Sequence, residues 1–115
     1  MSWRSSSGLR SWLLQRMSAI YIALSLVVFI LILTMKSEPL TYEVWRAWVA
    51  RPVINIGLIL FILAMLLHAW VGIRDVVMDY VHSSVVRFFL LISVGLGIAG
   101  VALWTLRILL LVKTA

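Results

Sequence analysis

The chain has no cysteine, two histidines, four acidic residues and two prolines among its 115 residues. Without thiols it can hold neither an iron–sulfur cluster nor a disulfide. So few histidines and carboxylates argue against hydrolytic or redox chemistry built from its own side chains, so any redox carrier must be borrowed. Charge is scarce as well. Only 12% of the residues are charged, where a soluble domain carries about 25%. Neither an internal repeat nor a flexible linker is visible.

Hydrocarbon fills the chain instead. Hydrophobic residues make up 64% of it, and the mean hydropathy is +1.15. Three runs stand out: Met17–Met35, Val53–Ile73 and Phe88–Leu106. Each is about 19–21 residues long, enough to cross a hydrocarbon core of roughly 30 Å as a helix. Backbone groups in lipid must bond within their own segment, which favours helices. Strands fail on length and on missing alternation. The pattern predicts an all-α membrane protein, one domain over residues 1–115, with spans near 14–35, 53–77 and 86–111.

The first connector, residues 36–52, reads KSEPLTYEVWRAWVARP, bracketed by Pro39 and Pro52. Pro52 suits the first turn of the second span. Leu40, Val44, Trp45, Trp48 and Val49 fall near helical spacing. They predict a short interfacial helix with its tryptophans at headgroup level; a plain loop is the alternative. The second connector, residues 74–87, is RDVVMDYVHSSVVR.

The N-terminal MSWRSSSGLRSWLLQR carries three arginines, five serines and no acid. Its composition resembles a transit peptide, but the apolar run behind it is too long for a signal peptide. It is read as a retained basic cap, attracted to anionic lipid, and a bacterial source is expected. Arg4, Arg10, Arg16, Arg74 and Arg87 flank one side, and Lys36, Arg46, Arg51, Arg107 and Lys113 the other. Five against five decides no orientation; the basic N-terminus favours the inside. The net charge of +6 flanks the spans and needs no nucleic acid to explain it.

One residue breaks the apolar pattern. His68 stands in LLHAW, deep in the second run. Ionisable groups at such depth usually face a protein interior or a site. An imidazole there can hydrogen-bond a neighbouring helix, or it can ligate a metal such as haem iron. Ala64 and Gly72, one turn to either side, allow close approach of a flat ring or of another helix. Spacing does not separate the two. The first and third runs offer no second histidine, and His82 lies in a connector. If His68 ligates haem, the second axial ligand comes from a partner chain or from a second copy of this one. Asp79 and Tyr80 share a membrane edge, where an acid beside a phenol can bond and protonate a quinone carbonyl; an ordinary interfacial pair is the alternative.

Taken together, LTYEVW at 40–45 and LLHAWVGIRDVVMDYV at 66–81 carry a resemblance. They look like the hydrophobic membrane anchor of bacterial succinate dehydrogenase, respiratory complex II. The similarity covers most of the chain and is weakest in the third run. It implies a membrane anchor that pairs with a second three-span chain, the cytochrome b subunit. The pair would co-ligate haem b between them and seat the iron–sulfur subunit and its flavoprotein. His68 matches the haem-ligating, metal-binding histidine. Tyr80 matches a tyrosine that bonds ubiquinone, Asp79 the acid associated with quinone protonation, and Arg16 a basic residue near the haem propionates. The family's quinone site also uses serine and arginine from the cytochrome b partner, which this chain cannot supply. The implied function is electron transfer from succinate to ubiquinone, joining the tricarboxylic acid cycle to respiratory electron transport. The implied location is the bacterial inner membrane, N-terminus cytoplasmic. The chain alone would not oxidise succinate. A fumarate reductase anchor and a haem-free structural or assembly protein are the competing readings.

Residues 95–100, GLGIAG, fit a dinucleotide-binding spacing. They lack the preceding strand and the following acid that such a site needs. Gly95, Gly97 and Gly100 are read as helix-packing positions.

Overall fold

The computed structural model describes residues 3–114, with side chains from 8 to 112. Four helices make up its regular structure: α1 (Trp3–Met35), α2 (Tyr42–Val49), α3 (Pro52–Tyr80) and α4 (Ser84–Thr114). No strand occurs among the described residues. Three helices are long and apolar enough to span a membrane: Gly8–Met35, Pro52–Tyr80 and Ser84–Val112.

The helices outrun the apolar stretches, for local reasons. α1 runs back through the basic N-terminal segment, where no proline interrupts it. α3 starts with Pro52 in its first turn, where the missing N–H costs nothing. It then continues through Arg74–Tyr80, so the second connector shrinks to residues 81–83. Its 29 residues make about 43 Å of helix. The short interfacial segment is helical, not a loop. The Thr41 hydroxyl accepts from the Val44 N–H at 3.3 Å, and Glu43 sits in the first turn, where an acid complements the helix dipole.

α3 is the middle of the structure. α1 packs on one side of it and α4 on the other, and α1 and α4 do not pack on each other among the described residues. The result is a flat layer of 54 × 27 × 20 Å. At one end α2 folds beneath α3 and α4 and closes a small core. Trp48, Val49 and Leu109 are buried there against Phe29, Ile32, Trp45, Ile54 and Leu58. Phe29 meets Trp45 edge-on, with centroids 6.0 Å apart, and lies 5.5 Å from Trp48. Lys36 sits over the Trp48 ring at 4.8 Å. The apolar face of α2 turns onto its own bundle, with Trp48 buried and Trp45 half-buried against it.

Asn55 holds this end together. It is 0% exposed. Its amide Nδ2 donates to the Val49 carbonyl at 3.2 Å and to the Leu109 carbonyl at 2.9 Å. One side chain therefore ties the C-terminus of α2, the start of α3 and the last turns of α4. The Val49 carbonyl is one of the acceptors a helix leaves without an internal partner. Asn55→Leu strands it, at a cost of about 1–3 kcal/mol. A lower thermal midpoint in detergent is the expected result; an unchanged midpoint would show that these bonds contribute nothing net.

The glycines of α4 divide. A Cβ on Gly95 would touch the Trp70 ring at 3.6 Å, so this glycine lets α3 lie close. Gly97 and Gly100 face open space. GLGIAG lies wholly inside α4, away from any strand.

Candidate functional site

The seam between α1 and α3 carries a line of polar groups. On α1, Ser11, Gln15 and Ser18 repeat at i, i+4 and i+7 and form one stripe. On α3, His68, Gly72 and Arg74 meet that stripe in the reverse order, since the helices run in opposite directions. His68 Nδ1 lies 3.1 Å from Ser18 Oγ. Ser18 is 6% exposed, and its hydroxyl donates to the Gln15 carbonyl at 3.0 Å. One turn along, a Cβ on Gly72 would stand 3.3 Å from Gln15 Nε2. The notch at Gly72 is therefore filled by α1 of the same chain. Nearer the end, Arg74 donates to the Ser11 hydroxyl at 2.8 Å and pairs with Asp75 at 3.4 Å. Arg10, Ser11, Gln15, Arg74 and Asp75 line a shallow cleft of about 670 Å³ there. Gln15 Oε1 is buried beside it without a hydrogen-bond partner.

His68 is half-buried. Its hydrogen bond uses Nδ1. Among the described residues Nε2 has no partner, and it is not sealed inside the protein. One ring nitrogen is tied inward and the other is presented outward, an arrangement that fits a single axial ligand to a metal. No three histidine, aspartate or glutamate side chains converge among the described residues. A metal centre on His68 therefore needs ligands from outside this chain.

Asp79 and Tyr80 close α3. Since the helix is continuous, Asp79 stands about 16 Å and Tyr80 about 18 Å along the axis from His68. Tyr80 is 77% exposed and Asp79 is exposed too. Neither has a hydrogen-bond partner among the described residues, whereas Asp75 is taken by Arg74. The corner is held from α4. Arg87 donates through Nη2 to the Met78 carbonyl at 3.1 Å and through Nε to the Val81 carbonyl. It thereby satisfies acceptors that the end of α3 would otherwise leave open, on either side of the Asp79–Tyr80 pair.

Arg16 is not brought to His68. It lies two residues before Ser18, about 200° around α1, and its guanidinium stacks on Trp12 at 5.3 Å. Sequence reasoning singled out His68, Asp79, Tyr80 and Arg16 and missed Ser18, Gln15, Arg74 and Arg87. For the first two the signal was present: the polar stripe on α1 has helical period. Arg87 had no such signal, because its role depends on how tightly α4 turns back on α3.

The fold and these groups define a multi-pass helical membrane protein. It offers one ring nitrogen within the membrane and an acid–phenol corner at its edge. The family model for the succinate dehydrogenase/fumarate reductase transmembrane subunit matches residues 1–104, and the chain belongs to that family. It is similar to the succinate dehydrogenase hydrophobic membrane anchor subunit of Coxiella burnetii, with 29% identity over 105 residues, covering 91% of this chain and 90% of the relative. The protein of the same name from Rickettsia bellii is 33% identical over 93 residues, 80% of this chain and 73% of its own length. That from Rickettsia felis is 33% identical over 92 residues, covering 79% and 75%. The resemblance carried by residues 40–45 and 66–81 thus led to the right family.

Proposed function

We propose that this chain is the hydrophobic membrane anchor of a succinate:ubiquinone oxidoreductase, co-ligating haem b with a partner chain and helping to form the quinone site. The observation that carries the reading is His68, tied through Nδ1 to Ser18, on the same helix as the unpaired Asp79–Tyr80 corner. Haem held by Nε2 supplies a one-electron carrier within the membrane. The chain's own part in that is to present the ring at a fixed depth and to exclude water around it.

At the edge, the Tyr80 hydroxyl donates to a quinone carbonyl oxygen, and Asp79 supplies a proton to the reduced oxygen. Two electrons reach the quinone from succinate through flavin and iron–sulfur clusters of the partner chains, and two protons complete the quinol. Serine and arginine from the cytochrome b partner complete the pocket. Arg16, whose guanidinium lies over Trp12 at 5.3 Å, would supply a positive charge to a haem propionate. The N-terminus and the 81–83 turn lie on the cytoplasmic face of a bacterial inner membrane. The relatives' shared name favours the succinate direction over fumarate reduction.

The test is an optical difference spectrum of the detergent-solubilised chain purified with its partners, before and after succinate. The expected result is a b-type band that appears with succinate. Absence of the band even with dithionite would remove haem from the proposal and leave an anchor or assembly protein without it.

A further inference from the structure

We propose that Ser18 is the positioning residue for the His68 ring, setting which nitrogen carries the proton, the plane of the imidazole and, through both, the redox potential of the haem. The inference rests on the haem reading above. A hydroxyl has one hydrogen to give and lone pairs to receive. Ser18 gives its hydrogen to the Gln15 carbonyl at 3.0 Å, the backward bond that serines make inside helices. Its remaining contact, 3.1 Å to His68 Nδ1, is then one in which Oγ accepts and the ring donates. With the ring proton on Nδ1, the Nε2 lone pair is free for iron.

The same contact fixes the ring plane. Rotation about the Cβ–Cγ bond would break the bond to a hydroxyl that is itself pinned to the backbone. Ser18 is 6% exposed, so no solvent competes for the bond. Gln15 helps from one turn away. Its amide nitrogen occupies the space over Gly72, 3.3 Å from where a Cβ would stand. The missing side chain keeps α1 close enough for Ser18 to reach the ring.

Partners of a ligating histidine are usually carboxylates, backbone carbonyls or water, and they raise the basicity of the ligand. A hydroxyl relayed to a carbonyl is a neutral version of that arrangement. Deleting it leaves the ring a poorer electron donor, which stabilises the oxidised iron less and raises the haem potential. The ring also gains freedom to turn, which shifts the low-spin EPR signal of an axial imidazole.

The experiment uses the whole complex purified with Ser18→Ala, Ser18→Thr and Ser18→Val. Redox titration of the b-type band and EPR of the oxidised complex are the readouts. The expected result is an upward shift of midpoint potential and a changed EPR signal in Ser18→Ala. Haem retention should weaken by roughly 10–100-fold, the usual scale for such partners. Ser18→Thr keeps the hydroxyl and should restore both signals toward wild type. Ser18→Val has the shape of Thr without the hydroxyl and should not. Because this pair differs only in the hydroxyl, it decides the matter even if Ser18→Ala fails to assemble. Equal potentials and equal EPR signals in Thr and Val, with haem present, would overturn the positioning role while leaving the haem reading intact. A wild-type complex with no haem band would overturn both.

Discussion

His68→Ala is expected to remove the b-type haem band from the assembled complex. His68 is the chain's one histidine at membrane depth, and His82 lies beyond the end of α3, so no internal substitute exists. Even the groups that hydrogen-bond a metal ligand are worth about 10–100-fold in affinity, and loss of the ligand itself should cost at least that much. The fold should survive. Ser18 still donates to the Gln15 carbonyl at 3.0 Å, so the substitution strands no buried donor. Haem content per complex, measured as the pyridine haemochrome, decides the result. Unchanged content would refute ligation by His68.

The second large effect is expected at the edge of the membrane. Tyr80→Phe should lower kcat/KM for quinone reduction by about tenfold or more, the equivalent of about 1.4 kcal/mol in transition-state stabilisation. The substitution removes only the hydroxyl. Tyr80 is 77% exposed and bonds no other described residue, so Phe breaks nothing inside the protein. Succinate oxidation with an artificial acceptor should therefore persist, since that acceptor takes electrons before they reach the quinone. Equal loss of both activities would place the defect in assembly and count against a quinone role for Tyr80.

Much of the molecule was legible in the residues. Three long apolar runs demand three spans, because a backbone in lipid has no other way to satisfy its own polar groups. The break at Pro39 and Pro52, with apolar residues at helical spacing between, marks α2. The motif around His68 pointed to the family.

The seams were not legible. Sequence periodicity reports which face of a helix is polar, and it does not report which neighbour receives that face. Gly72 illustrates the gap. From spacing it suited a haem edge and a helix equally well, and packing assigned it to Gln15 of α1. Gly97 and Gly100 looked like packing glycines and pack against nothing in this chain. Trp45 and Trp48 have the composition of headgroup anchors, and periodicity did not show that α2 buries Trp48 against the bundle with Trp45 packed beside it.

By itself the sequence determined that this is a three-span membrane protein and where its one intramembrane histidine stands. Those properties follow from hydropathy, which is local. That the acid–phenol pair shares the histidine's helix came from the structure. Tertiary structure alone decided that α3 is the central helix, that Ser18 takes Nδ1 and leaves Nε2 open, that Asn55 locks three helices at one end, and that Arg87 holds the other. Each of these depends on which side chains meet across a seam, and a one-residue rotation of either helix would change them without altering a single local propensity.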